Sequence, residues 1–331
     1  MTIEERKKDH IRIAVKNAVE TGNPGFDKLR LKHKVLPEAN YDSVDTSTTF
    51  LKHKLKAPIL ISGMTGGTNE ARQINKALAA VAQEYGIAFG VGSERAAIEK
   101  PKLAPTYQVR DVAPDILLIA NLGAVQLNYG YGTKEIRQAI EIIQADAIAL
   151  HANPIQESVQ PEGDRNFSNL TAKINAAAKE LKEPVLFKGV GEGISKEAAQ
   201  KLKVDAFDVG GWGGTNWGLI EGYRQDEATL ERGRLFSSWG TSTVDSILAV
   251  RDLGVPVVGS GGVRTGVDAA KALALGADLV GLARPILTAY FSGGQKEVKL
   301  YINRFIAELK VSMFLTGAES VKGLRGRVDL V

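Results

Sequence analysis

Residues 255–284 read VPVVGSGGVRTGVDAAKALALGADLVGLAR, and the order of patterns within them decides the fold. Residues 255–260 are a short β-branched run closed by Gly261-Gly262. Residues 267–275 carry helical spacing, and residues 279–282 form a second apolar run. This is a βαβ unit whose strands are apolar on both faces, as in a parallel sheet covered by helices. Working towards the N-terminus, similar runs recur at 58–61, 87–91, 116–120, 146–150, 185–188 and 206–209. Helical patterns lie between them at 71–85, 133–143, 170–181, 196–202 and 242–253. Most starts are about thirty residues apart, the length of a βα unit. Eight such runs predict an α/β chain folded as a (β/α)8 TIM barrel rather than an open doubly wound sheet.

The 331 residues suit one such barrel with additions. Residues 58–331 form the expected barrel with a closing helix at 296–315. Residues 1–57 form an N-terminal extension that starts with an amphipathic helix (Ile3, Ile11, Ala14, Val15, Ala18). A fraction of 44% apolar and 24% charged residues is that of a soluble globular protein. The longest apolar run, 113–120, is broken by Pro114 and Asp115, so no membrane partner is expected. A charged start is unlike a signal peptide, and a cytoplasmic location is the expectation. With no cysteine, disulfides, thiolate metal sites and cysteine nucleophiles are excluded. The net charge, 42 − 38 = +4, is small and dispersed, which argues against nucleic acid and suits a small anionic ligand.

Barrels of this type carry their sites at the C-terminal ends of the strands. Polar or glycine residues follow all eight runs: Met64-Thr65-Gly66-Gly67, Ser93-Glu94-Arg95, Asn121, His151 to Glu157, Lys188, Gly210 to Asn216, Gly261 to Gly266, and Ala283-Arg284. Gly261, Gly262 and Arg264 after the seventh run, with Ala283 and Arg284 after the eighth, suit a phosphate held on free amides and a helix N-terminus. Two tight turns that need glycine are the alternative. Lys188 fits an anionic ring, a Schiff base or a snorkelled cation, and a flavin fits best. Met64, Thr65, Gly66, Ser93 and Asn121 would then bond along the ring. Glu157, beside Gln156, suits Mg2+ shared with phosphate oxygens, or is a solvated loop residue. His151 is a supporting donor or an ordinary mouth histidine, and His33 and His53 read as surface residues. Arg6, Lys7, Lys8 and His10 form either a solvated face or a diphosphate clamp. Residues 210–241, with Trp212, Trp217 and Trp239, form a long and ordered functional segment.

These residues resemble the type 2, FMN-dependent isopentenyl-diphosphate delta-isomerase family. The likeness is carried by Arg6-Lys7-Lys8-Asp9-His10, Met64-Thr65-Gly66-Gly67, Gly92-Ser93, His151 to Glu157, Gly213-Gly214-Thr215-Asn216, Ser237 to Gly240, Ser260 to Arg264 and Ala283-Arg284-Pro285. It implies interconversion of isopentenyl and dimethylallyl diphosphate with FMN, Mg2+ and NADPH as reductant. It further implies that Met64, Thr65, Gly66, Ser93, Asn121, Lys188, Thr215, Gly261, Gly262, Arg264, Ala283 and Arg284 hold FMN. Arg6, Lys7, His10, Ser93, Arg95, Asn153 and Gln156 would hold the diphosphate substrate, and Glu157 the magnesium. Gln156, Glu157, Lys188 and His151 would serve catalysis, and the chain would assemble as a homo-oligomer, a tetramer or an octamer. The chain departs from the family at Gly210, often serine or alanine, and at Arg95, often histidine.

The chemistry is coherent. An unactivated alkene is a poor base, so the isomerisation needs an acid–base partner held close to it. No carboxylate pair is evident in the sequence, and reduced FMN can fill that role. A hydroxyacid oxidase would need a histidine–arginine pair where Ser237 to Gly240 stand, and an IMP dehydrogenase-like enzyme would need a cysteine. A non-catalytic FMN or phosphoprenyl binding protein is the remaining alternative.

Overall fold

The computed structural model describes residues 3–331, with side chains from Glu4 onward, so Met1, Thr2 and the side chain of Ile3 lie outside the described residues. Eight parallel strands close into a barrel in chain order: β1 (Ile59–Ile61), β2 (Ala88–Gly90), β3 (Leu118–Gly123), β4 (Ala147–Ala152), β5 (Val185–Gly189), β6 (Ala206–Asp208), β7 (Val257–Ser260) and β8 (Leu279–Leu282). The closure sets Val280 beside Ile59 and Leu282 beside Ile61.

Two apolar layers explain why these runs are apolar on both faces. Leu60, Ala88, Leu117, Ile119, Ala147, Ala149, Leu186, Ala206, Val258 and Leu279 pack together as one cluster, which fills the barrel. Phe50 and Leu55 join it from a two-stranded ribbon, Thr48–Phe50 with His53–Leu55. The alternate residues, such as Ile59, Ile61 and Phe89, face the surrounding helices in a second cluster. Burial of each of the larger side chains, the leucines, isoleucines, valines and phenylalanines, contributes roughly 1.5–3 kcal/mol.

Local chemistry sets the helix ends near the site. Thr265 opens the helix Gly266–Leu275 with a reciprocal cap: its hydroxyl accepts the Asp268 N–H, and the Asp268 carboxylate accepts the Thr265 N–H. Such a cap is worth about 1 kcal/mol and fixes where the chain turns after β7. Between β2 and β3 the usual helix is replaced by a short one, Arg95–Glu99, and a 3-10 turn, Pro101–Thr106.

The closing helix ends at Leu315 as expected, and non-helical backbone at Gly293 and Gly294 separates it from the helix that starts at Arg284 after β8. Two expectations are refined. The N-terminal helix ends at Lys16, so Ala18 lies beyond it and is exposed, while Ile11, Ile13 and Ala14 are buried. His33 is exposed, whereas His53 is half-buried in the ribbon. The extension does not stand apart from the barrel: Leu29–Leu31 pairs antiparallel with Val328–Leu330, and Thr21 donates its N–H to the Gly214 carbonyl.

Candidate active site

The C-terminal ends of the strands open into one cavity, and the N-terminal helix lies over it. Met64, Thr65, Ser93, Arg95, Asn121, His151, Asn153, Gln156, Glu157, Lys188, Thr215, Gly261, Gly262, Arg264, Ala283 and Arg284 all line it, joined from above by Arg6, Lys7 and His10. Lys8 does not join them and is exposed. Gly66 does not line the cavity either; a Cβ there would sit 1.8 Å from the Tyr107 ring, so this glycine serves close packing.

The floor over β7 and β8 is built by backbone that only glycine tolerates. Gly261 and Gly262 have φ of +100° and +71°, in the left-handed region where a side chain is strained. Gly210 has φ +46°, and a Cβ would lie 1.9 Å from the Gly189 carbonyl. Arg264 and Arg284 reach across this floor. Both meet the Glu20 carboxylate, Arg284 at 3.2 Å, and Arg284 also donates to the Ala14 carbonyl at 2.7 Å. The two arginines therefore tie the N-terminal segment to the barrel mouth.

A buried polar cluster joins the roof to the wall. Glu221, wholly buried on the helix Trp217–Arg224, accepts hydrogen bonds at one oxygen from Gln156 Nε2 at 2.7 Å and from His10 Nε2 at 2.9 Å. Its other oxygen meets Arg224 Nε at 2.7 Å. Burial pushes the Glu221 carboxyl up, but His10, Arg224 and Gln156 outweigh it and hold it at about 2. Burial pushes His10 below its ordinary value, against the pull of Glu221. Asn153 Nδ2 donates to Gln156 Oε1 at 2.7 Å, so both ends of the Gln156 amide are fixed.

Other shifts follow from burial. Burial, then Arg6, push the Lys7 ammonium down to about 8. Burial, then Lys188, push His151 down to about 3, so its ring is neutral, and its Nδ1 lies 2.7 Å from Asn121 Oδ1. Glu157 is pushed up by burial, while its Oε2 accepts from Gln160 at 2.7 Å and from the Asp164 N–H at 2.8 Å. Glu192, in the turn after β5, accepts the Ile155 N–H at 3.0 Å, and burial pushes it up to about 7. Arg95 is paired with Glu99 and Asp164.

Two tests bear on ligands. Ser62 Oγ, Thr65 Oγ1, Asn153 Oδ1 and Arg6 Nε line the cavity, are buried, and have no hydrogen-bond partner among the described residues. Buried polar atoms are normally satisfied, so four orphans in one cavity fit a polar ligand such as a flavin with a phosphorylated substrate. Among the described residues no group of three or more histidine or acidic side chains could cage a metal. A lone carboxylate such as Glu157 still fits Mg2+ that takes most of its oxygens from a phosphate and water.

The sequence reading missed Asp208, Glu192 and Glu221. Asp208 is a carboxylate inside an apolar strand, and Glu221 follows Leu219-Ile220 on a helix; an acid at a position patterned for burial was the available signal.

Comparison with known proteins agrees with this geometry. Residues 128–329 match the family described as FMN-dependent dehydrogenase. Isopentenyl-diphosphate delta-isomerase of Nostoc sp. is 46% identical, over 97% of this chain and 94% of that protein. The enzymes of the same name from Synechocystis sp. and Rickettsia bellii are 48% and 45% identical, over 96% and 97% of this chain and 93% and 96% of theirs. Among solved structures, a flavocytochrome b2 variant with pyruvate bound superposes with TM-score 0.69 at 18% identity, over 97% of this chain and 82% of that one. A lactate oxidase of Pediococcus acidilactici gives TM-score 0.65 at 18% identity, over 100% of this chain and 88% of that one. These two establish the barrel fold. At near full-length identity of 45–48%, the chain belongs to the isopentenyl-diphosphate delta-isomerase family, within the FMN-dependent group.

Proposed function

We propose that this protein interconverts isopentenyl and dimethylallyl diphosphate, with FMN and Mg2+ bound in the barrel mouth. The observation that carries the reading is the cavity in which the N-terminal cations Arg6 and Lys7, with the His10 ring beside them, face the glycine–arginine loops after β7 and β8. Two separate anionic groups suit that arrangement, a flavin phosphate on the floor and a substrate diphosphate under the roof.

When bound in its reduced state, FMN supplies a protonatable N5/N1 system that can act as acid and base. Gly261, Gly262, Arg264, Ala283 and Arg284 would hold its phosphate; Met64, Thr65, Ser93, Asn121, Lys188 and Thr215 would hold the ring and chain. The unsatisfied Thr65 hydroxyl supports its share of that assignment. Gly66 would act by packing against Tyr107, keeping Met64 and Thr65 at the rim.

The chain's own residues orient the substrate. Arg6, Lys7, His10, Ser93 and Arg95 would bind the diphosphate, with Asn153 and Gln156 beside it. Glu157 would hold Mg2+ together with diphosphate oxygens and water. The Gln156 amide, locked between Asn153 and Glu221, gives the reacting end a fixed polar neighbour. Glu221 is ionised at neutral pH and, with His10, fixes the roof to the wall. His151 stays neutral and orients Asn121. NADPH as reductant, a cytoplasmic location and a homo-oligomer, tetramer or octamer, belong to the same proposal.

The test is an anaerobic assay on isopentenyl diphosphate with Mg2+, comparing chemically reduced with oxidised FMN. Dimethylallyl diphosphate should form only with reduced FMN. Tight FMN binding without product under either condition would refute the proposal.

A further inference from the structure

Lys188 is the penultimate residue of β5 and lines the cavity, and its ammonium lies 3.4 Å from Asp208 Oδ2. Asp208 stands directly beside it in register on β6 and is only 2% exposed. It does not line the cavity itself. Its other oxygen accepts the hydroxyl of Ser260 at the end of β7, and Ser260 Oγ accepts the Gly210 N–H at 2.9 Å. Three neighbouring strands thus place a carboxylate behind the lysine, hydrogen-bonded on one side to a hydroxyl and ion-paired on the other with the ammonium, which itself donates to the Gly189 carbonyl at 3.0 Å. A buried carboxylate requires such pairing, and its negative charge offsets the field of the ammonium. A lone lysine would present a full positive charge to whatever occupies the cavity. A lysine backed by a carboxylate presents a dipole, whose field falls off faster.

We propose that Asp208 is a positioning residue that, through its ion pair with Lys188, sets how much positive charge Lys188 presents to a flavin ring in the cavity. The inference rests on the flavin reading above and deepens it. With Asp208 in place the pair is nearly neutral, and anionic states of the ring gain little from Lys188. With the carboxylate removed, the ammonium is uncompensated and every anionic state of the ring is favoured. Ser260 acts in the opposite sense, because its hydroxyl shares the charge of Asp208 and leaves less of it for Lys188.

The experiment uses the FMN-loaded protein and two readouts that need no turnover. One is the midpoint potential of FMN, and the other is its affinity for sulfite, whose addition to the ring places negative charge there. D208N should raise the potential by about 30 mV, a roughly tenfold change in the two-electron equilibrium, and tighten sulfite by about tenfold, or ~1.4 kcal/mol. In a K188Q background the same substitution should move neither by more than about threefold, or ~0.7 kcal/mol. S260A, which serves also if D208N does not fold, should move both readouts in the opposite direction. Equal shifts with and without Lys188, or shifts of the same sign in D208N and S260A, would overturn the role. Failure of the wild-type protein to bind FMN would overturn the flavin reading with it. Tight FMN binding with unchanged readouts in D208N would overturn the role of Asp208 alone.

Discussion

Glu192 offers a quantitative test of how the wall of the site is held. Its carboxylate accepts the Ile155 N–H at 3.0 Å, at the head of the short helix Pro154–Val159 that carries Gln156 and Glu157. Its carbonyl accepts the Thr241 N–H at 2.9 Å, which ties the same residue to the segment after the three tryptophans. Burial pushes the carboxyl from 4.5 up to about 7, against the Ile155 and Gln156 N–H groups, which favour the charged form. A rise of 7 − 4.5 = 2.5, at about 1.36 kcal/mol for each pH unit, amounts to about 3 kcal/mol. The folded protein binds the proton more tightly than the unfolded chain. This contribution to stability is therefore fully present below about pH 4.5 and is lost as pH rises to about 7. Glu192→Gln keeps an acceptor for Ile155 but cannot ionise. Urea unfolding of both proteins from pH 4.5 to 8 isolates the residue from every other titrating group. The variant should gain on the wild type by about 3 kcal/mol across that range, most steeply between pH 5 and 7. A stability difference that stays flat with pH would show that Glu192 is not buried as a neutral acid at the low end, and the reasoning would fail.

Glu221→Gln should cost roughly 3–5 kcal/mol in chemical denaturation, because the Arg224 side chain, 1% exposed, loses its ionised partner and keeps Glu162. Adding Arg224→Met should recover much of that stability without restoring turnover; recovery of both would remove Glu221 from the site's function. Lys7 should take up a proton when a diphosphate binds, since an adjacent anion raises a pKa that burial holds at about 8. Calorimetry with isopentenyl diphosphate at pH 8.5, in buffers of different ionisation enthalpy, should find an uptake of about 0.7 proton that is missing in Lys7→Met and close to zero at pH 6.5; an uptake of the same size in Lys7→Met refutes the assignment. Glu157→Gln should weaken Mg2+-dependent turnover at least tenfold at low Mg2+ while leaving FMN affinity unchanged, and an unaltered magnesium dependence would remove its role as ligand.

The barrel was legible because every strand in a doubly covered parallel sheet must be apolar on both faces, a signal carried by adjacent residues. The eight expected runs start within two residues of the eight strands. Errors fell where local pattern gives way to packing. The helix that starts at Arg284 and stops at the Gly293-Gly294 break was not expected, and Tyr107, from an unremarked turn, is what Gly66 accommodates. The segment after β6 was recognised by its tryptophans but not resolved into helices Trp217–Arg224 and Glu227–Leu235, whose glycines at 218, 222 and 233 allow close crossing instead of marking loops.

The site divides along the same physical line. Residues that act through backbone shape or clustered charge, such as Gly261, Gly262 and the Arg6–His10 group, sit in motifs because their geometry depends on chain neighbours. The acids that hold those residues in place do not. Glu221 meets His10 across 211 positions of sequence, Asp208 meets Ser260 across 52, and Glu20 meets Arg264 across 244. Each is a single carboxylate whose meaning depends on a partner brought near only by barrel closure, so spacing along the chain carries no trace of it. The chain also limits what such an acid can do. One buried carboxylate beside a permanent guanidinium stays ionised and positions its neighbours, as Glu221 does with Arg224. One buried beside only N–H groups, as Glu192 is, titrates near neutrality. The two acids flank the same short helix with Gln156 and Glu157 between them, so this wall of the cavity has one support that ignores pH and one that follows it. If the proposed function holds, loss of substrate orientation on changing pH should trace to Glu192 and not to Glu221.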